Sequence, residues 1–130
     1  MAVLLPVAFY CLAADRPPPI AALREAGAAM AVASDCNPGS APGASLLSAM
    51  SMATRLFGLT AEEALQAVTR HAAHALGLAG ERGVLAAGLA ADFVVWNVAA
   101  LEELGYWIGF NPRRTVVRAG EVLRWPHPTP

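Results

Sequence analysis

Asp35, Asn37, Gly39 and Ser40 fall close together in the stretch Ala31-Val32-Ala33-Ser34-Asp35-Cys36-Asn37-Pro38-Gly39-Ser40. Asp35 is the only acidic residue between Glu25 and Glu62. A carboxylate so placed can bind a metal ion, take the proton from a water activated by that ion, or both. The same residue also fits a plain turn or helix cap, in which nearby backbone N–H groups satisfy it. Asn37 can donate and accept toward an amide-like substrate, and Gly39-Ser40, leading into a helix, offers backbone and hydroxyl donors to a carboxylate. For Asn37, Gly39 and Ser40, position alone favours the turn.

The remaining chemistry-bearing residues are weaker candidates. His71 and His74 stand at i, i+3, a spacing that can share a metal, yet no carboxylate partner is near them and a solvated helix face accounts for both. His127 lies in a proline-rich tail. Cys11 and Cys36 have no histidine placed by sequence to activate them, so they read as buried apolar thiols. Tyr106-Trp107-Ile108-Gly109-Phe110-Asn111-Pro112 can form a lid or an interface, with packing as the plainer use.

The elements that position Asp35 follow from the pattern around it. Ala2 to Leu5 reads as a short central strand ended by Pro6, and Val7 to Ala14 as the loop after it. Pro17-Pro18-Pro19 opens a helix that starts with Ile20 and stops at Gly27. Ala29 to Ser34 is then a second strand, apolar enough to be buried on both faces, with Asp35 at its carboxyl end and Pro38-Gly39 forcing a turn. Strand, helix, strand in so short a span predicts a βαβ unit with parallel strands. Active sites of open α/β sheets and barrels lie at that end of their strands.

Ala44 to Phe57 predicts a helix closed by Gly58, with apolar stripes on two sides. Thr60 and Glu63 form a capping box for the next helix, which should run to about Leu76 and stop at Gly77. After Gly80 the pattern turns to short strands: Gly83-Val84-Leu85, Asp92 to Val98, Thr115 to Arg118 and Glu121 to Arg124, the last two joined by a tight hairpin at Ala119-Gly120. The tail from Trp125 should fray.

With 130 residues, 56% of them hydrophobic, the chain fits one domain or part of a larger body. A net charge of −1, with no basic cluster beyond Arg113-Arg114, argues against nucleic acid or an anionic membrane as partner. Two cysteines are too few for a disulfide scaffold, which predicts a reducing, cytoplasmic setting. The apolar opening from Met1 to Ala14 lacks a basic leader, contains Pro6 and is too short to span a bilayer. Small-molecule chemistry is the function class that remains.

Two stretches carry a resemblance. Gly83-Val84-Leu85-Ala86-Ala87-Gly88-Leu89-Ala90-Ala91-Asp92-Phe93-Val94-Val95-Trp96 resembles the return of metal-dependent amidohydrolases from their catalytic barrel to a small β-sandwich. Asp35 to Ser40, with Leu4-Leu5-Pro6 and Tyr106-Trp107-Ile108-Gly109, is similar to the imidazolonepropionase family. The resemblance implies an α/β fold: residues 1–80 as the last βα units of a (β/α)8 TIM-like barrel, 81–124 as strands of the β-sandwich, and 125–130 as a tail. It implies hydrolytic opening of 4-imidazolone-5-propanoate to N-formimidoyl-glutamate in histidine degradation, with one Zn2+ or Fe3+ ion. Asp35 would bind the metal and handle the proton, while Asn37, Gly39 and Ser40 would contact substrate.

The family also needs a His-x-His pair and a further histidine, and this sequence has no such pair. A complete barrel runs to about 250 residues, so the chain supplies only its last two strands. Met1 falls at a strand start. The expectation is therefore a carboxyl-terminal fragment, inactive alone, that requires the missing part of the barrel and belongs to a possible homodimer when complete. Another cyclic amidohydrolase or deaminase, or a non-catalytic fragment that binds a partner chain, are the alternatives.

Overall fold

The computed structural model describes residues 1–123. The expected frayed tail from Trp125, with His127, and Arg124 of the expected last strand lie outside the described residues. Strand β1 (Ala2–Leu4) is followed by helices α1 (Pro6–Cys11) and α2 (Ile20–Glu25), then by strand β2 (Met30–Val32). β1 and β2 pair in parallel, with Ala2 opposite Met30 and Leu4 opposite Val32, as the βαβ reading predicted. Helices α3 (Leu46–Phe57), α4 (Ala61–Val68) and α5 (Arg70–Ala75) come next. Strand β3 (Phe93–Trp96), helix α6 (Glu102–Tyr106) and strands β4 (Arg113–Arg118) and β5 (Glu121–Val122) complete the order. The last three strands form an antiparallel sheet in the order β3-β4-β5.

The core lies between the small parallel sheet and the helices. Leu4, Val32, Val7, Met50, Phe57 and Leu59 are buried together, and Phe9 meets the Phe57 ring edge-on at 5.2 Å between centroids. Trp96, Val98 and Leu101 pack against the same cluster from the later segment. Successive strand residues point to opposite faces. Leu4 faces this core while Val3 beside it is 53% exposed; the partner of Val3 on that second face, Ala31 of β2, is buried. Each of the two strands of the parallel sheet has an unpaired outer edge among the described residues.

The helix ends follow local chemistry. Ser45 caps α3 by accepting from Ser48 N at 3.2 Å, and Gly58 closes it at φ +69. At α4 the capping box is complete: Thr60 Oγ1 accepts from Glu63 N at 3.2 Å, and Glu63 Oε2 accepts from Thr60 N at 2.8 Å. Glu63 also takes a forked pair of bonds from Arg24, Nε to Oε1 and Nη2 to Oε2, each 2.7 Å, which ties α2 to α4. These bonds from Arg24, with a smaller contribution from Thr60 N, hold the Glu63 carboxyl below its ordinary value.

Three expectations are corrected. Val7 to Ala14 is not a loop: Pro6 occupies the first turn of α1, where its missing N–H is harmless, so the proline opens a helix as well as ending a strand. The single helix from Thr60 to Leu76 is two, because Thr69 leaves helical geometry at φ −122, ψ −91 and its hydroxyl bonds back to Leu65 O at 2.6 Å. Gly83-Val84-Leu85 is not a strand. Gly83, at φ +99, lies so close to α5 that an added Cβ would sit 2.5 Å from Ala73 Cβ, and Val84 and Leu85 find no strand to pair with.

The hairpin at Ala119-Gly120 is present, with φ +51 and +82, the paired positive values of a tight primed turn. Asp92 fastens it: Oδ1 accepts from Ala119 N at 2.7 Å, and Oδ2 meets Arg82 Nη1 at 3.3 Å. The aspartate of the Ala91-Asp92 stretch thus joins the start of β3 to the β4–β5 turn.

Candidate functional site

Parallel strands deliver their carboxyl ends to one side of a sheet, and the loop 33–41 leaves β2 on that side. Asp35 lies three residues beyond Val32, exposed, at φ +52. Its carboxylate is exposed because β2 ends at Val32 instead of the expected Ser34, and the chain has already turned outward. Cys36 beside it and Cys11 at the end of α1 are also exposed, so neither is the buried thiol expected.

Asn37 organises the loop. Its Oδ1 accepts from Gly39 N at 2.9 Å and Ser40 N at 2.8 Å. Its Nδ2 donates to Asp35 O at 2.7 Å, and lies 3.5 Å from Asp35 Oδ2 and 3.1 Å from Ser40 Oγ. Backbone bonds between Asn37 and Ala41 close the turn, and Ala41 is fully buried, which anchors the loop to the core. The structure thus brings Asp35, Asn37, Gly39 and Ser40 together in one small hydrogen-bonded turn.

The histidines are elsewhere. His71 Nδ1 bonds to Met30 O at 3.0 Å, which places the ring at the opening end of β2, opposite the Asp35 loop. His74 is exposed on α5. Among the described residues no three His, Cys, Asp or Glu side chains gather as a metal site. Asp35 does fit as one ligand: it is exposed, and among the described residues its carboxylate meets only the long side-chain contact from Asn37. The donor set among the described residues suits one corner of a metal site.

Two clefts lie away from this loop. One of about 420 Å³ runs between the α3 end and α6, where Arg55 stacks over Tyr106 at 5.2 Å. The other, about 210 Å³, surrounds the Arg24–Glu63 pair and His71. Sequence reasoning missed the Arg55–Tyr106 contact, since residues 51 positions apart carry no local spacing signal. Trp107 meets the rings of Tyr106 and Phe110 edge-on, and all three stay largely exposed. No helix among the described residues is long and apolar enough to cross a membrane.

The model of the amidohydrolase family matches residues 8–120. The chain belongs to the amidohydrolase family. Among its relatives, the imidazolonepropionase of Ralstonia nicotianae is 56% identical over 95% of this chain and 30% of its own length. Those of Rhizobium meliloti and Pseudomonas paraeruginosa are 53% and 55% identical over 95% of this chain and 30% and 31% of their own lengths. The chain thus spans about a third of the curated relatives it matches.

Solved amidohydrolase-like structures agree in fold. An adenosine deaminase from Xanthomonas campestris, solved with bound zinc, superposes over 93% of this chain and 31% of its own, with a TM-score of 0.76 at 24% identity. Escherichia coli guanine deaminase gives 0.75 at 17%, over 96% of this chain and 33% of its own. The elements described above are a portion of an α/β amidohydrolase fold.

Proposed function

We propose that this chain is the carboxyl-terminal part of an imidazolonepropionase, contributing one wall of the active site for hydrolysis of 4-imidazolone-5-propanoate. The observation that carries the reading is identity of 53–56% to three imidazolonepropionases across 95% of the chain at about 30% of their length. The two unpaired edges of the parallel sheet agree with it, since strands of a closed barrel are paired on both sides. On this reading β1 and β2 are the last two barrel strands. The antiparallel sheet belongs to the small β-sandwich, with Phe93, Val95 and Val122 exposed where further strands would lie. The division falls near residue 80, in a cytoplasmic enzyme.

A Zn2+ or Fe3+ ion, when bound, supplies the Lewis acid that lowers the pKa of the attacking water. Asp35 would hold that ion through its carboxylate and is the group that would take a proton from the attacking water and return it to the departing ring nitrogen. Asn37, Gly39 and Ser40 face the substrate: the glycine leaves room beside the Asn37 amide, and the Ser40 hydroxyl can turn from it toward a ligand. Histidine ligands come from the part of the barrel outside this chain.

The test is complementation. The 130-residue chain alone, supplied with zinc and imidazolonepropanoate, should give no turnover, and co-production with the remaining barrel of a related enzyme should give ring opening and one metal per assembly. Turnover by the isolated chain would contradict the reading, as would an inactive assembly whose two parts demonstrably associate.

A further inference from the structure

The larger of the two clefts lies between the end of α3 and α6, and its volume of about 420 Å³ is within the range that small ligands occupy. Its walls carry opposite charges. Arg55 comes from α3 and Glu102 from α6, and both are exposed. Among the described residues neither forms an ion pair, with the other or with any other group. Glu103 beside them is already engaged, since its Oε1 accepts from Ala99 N at 2.9 Å and from Ala100 N at 3.2 Å.

The Arg55 guanidinium is held in place. Its Cζ stands 5.2 Å from the centre of the Tyr106 ring, and a guanidinium resting on an aromatic face keeps the N–H fork at its edge free for a carboxylate. Leu59 and Ala61 add apolar surface beside the ring. The cleft thus presents a forked donor, an apolar floor and a carboxylate within one small volume.

We propose that this cleft binds a small zwitterion, an α-amino acid with an apolar side chain. The ligand carboxylate takes the Arg55 fork, its ammonium group meets Glu102, and its side chain covers Leu59, Ala61 and the Tyr106 ring. Inorganic phosphate fits less well, because Glu102 and Glu103 would repel a dianion drawn to Arg55. The inference uses no residue of the Asp35 loop, so it stands or falls apart from the reading of that loop.

Calorimetric titration with L-leucine tests it, on the 130-residue chain and on the assembled enzyme. Saturable binding at one site per chain is expected in both. Arg55→Gln and Glu102→Gln should each weaken it about tenfold or more, as should removal of one charge from the ligand, in 4-methylpentanoate or 3-methylbutylamine. Glu62→Gln, an exposed carboxylate that does not line the cleft, should bind as the unmutated chain does. Absence of binding to the chain overturns the proposal, and so does equal affinity for leucine and either singly charged analogue. Binding to the chain but not to the assembly overturns it too, since the rest of the barrel would then fill the cleft. Unchanged affinity in both Arg55→Gln and Glu102→Gln would place the leucine elsewhere and refute the site.

Discussion

Replacing Gly83 by alanine should destabilise the protein through two separable effects. The new Cβ would lie 2.5 Å from Ala73 Cβ, 3.2 Å from Thr69 O and 3.4 Å from Arg70 Cα. Carbon atoms rest about 3.5–4.0 Å apart, so the first contact overlaps by about 1 Å, against a helix Cβ and backbone that cannot swing aside. Overpacking of this kind costs about 1–3 kcal/mol, and the positive φ of +99 adds about 1–2 kcal/mol for a residue with a Cβ. The expected loss is about 2–5 kcal/mol. Two other glycines divide the effects. Gly88 shares the positive φ, at +86, with nothing within 4 Å, so Gly88→Ala should lose about 1–2 kcal/mol. Gly80 has neither constraint, and Gly80→Ala should be neutral or stabilising by about 0.4–1 kcal/mol. Urea unfolding followed by circular dichroism reads all three, with a midpoint for Gly83→Ala lower by about 1 M or more. If Gly83→Ala unfolds no earlier than Gly88→Ala, the close approach of residue 83 to α5 is wrong.

Further outcomes follow from single side chains. Ser51 is 1% exposed and its hydroxyl has no hydrogen-bond partner among the described residues, so Ser51→Ala should stabilise by about 1 kcal/mol, seen as a raised urea midpoint. The folded-state pKa of Glu63 is depressed by Arg24, so its contribution is complete above the unfolded value of about 4.3 and is lost as pH falls through the lower folded value. Glu63→Gln should therefore be less stable than the unmutated chain at neutral pH, and the difference should shrink in acid, as urea titrations at several pH values will report.

Most of the local architecture was legible because its causes are local. The Thr60–Glu63 box, the Gly58 stop and the Ala119-Gly120 turn each depend on residues within a few positions of one another. The parallel pairing of β1 with β2 followed from the strand, helix, strand alternation. What failed depended on distant contacts or on one residue with two possible uses. Pro6 was legible as a strand end and serves also as a helix start. Gly83 stood in a run that suits a strand, and only its closeness to Ala73 shows why it is glycine. At the site, the residue types and the turn were readable, but the exposure of Asp35 was not, since it depends on β2 ending at Val32. Nor could composition reveal that both ends of the Asn37 amide are already bonded within the loop.

The central claim is that Asp35 supplies a metal ligand and carries the reacting proton in an assembled imidazolonepropionase. Asp35→Asn tests it most directly, since the amide keeps the size of the side chain and the Asn37 bond to the residue 35 carbonyl. Ring opening of imidazolonepropanoate, measured with zinc content on the same assembled sample, should fall by about 10²–10⁴-fold with the parts still associated. An Asp35→Asn assembly that retains its zinc and turns over at the unmutated rate would contradict the account.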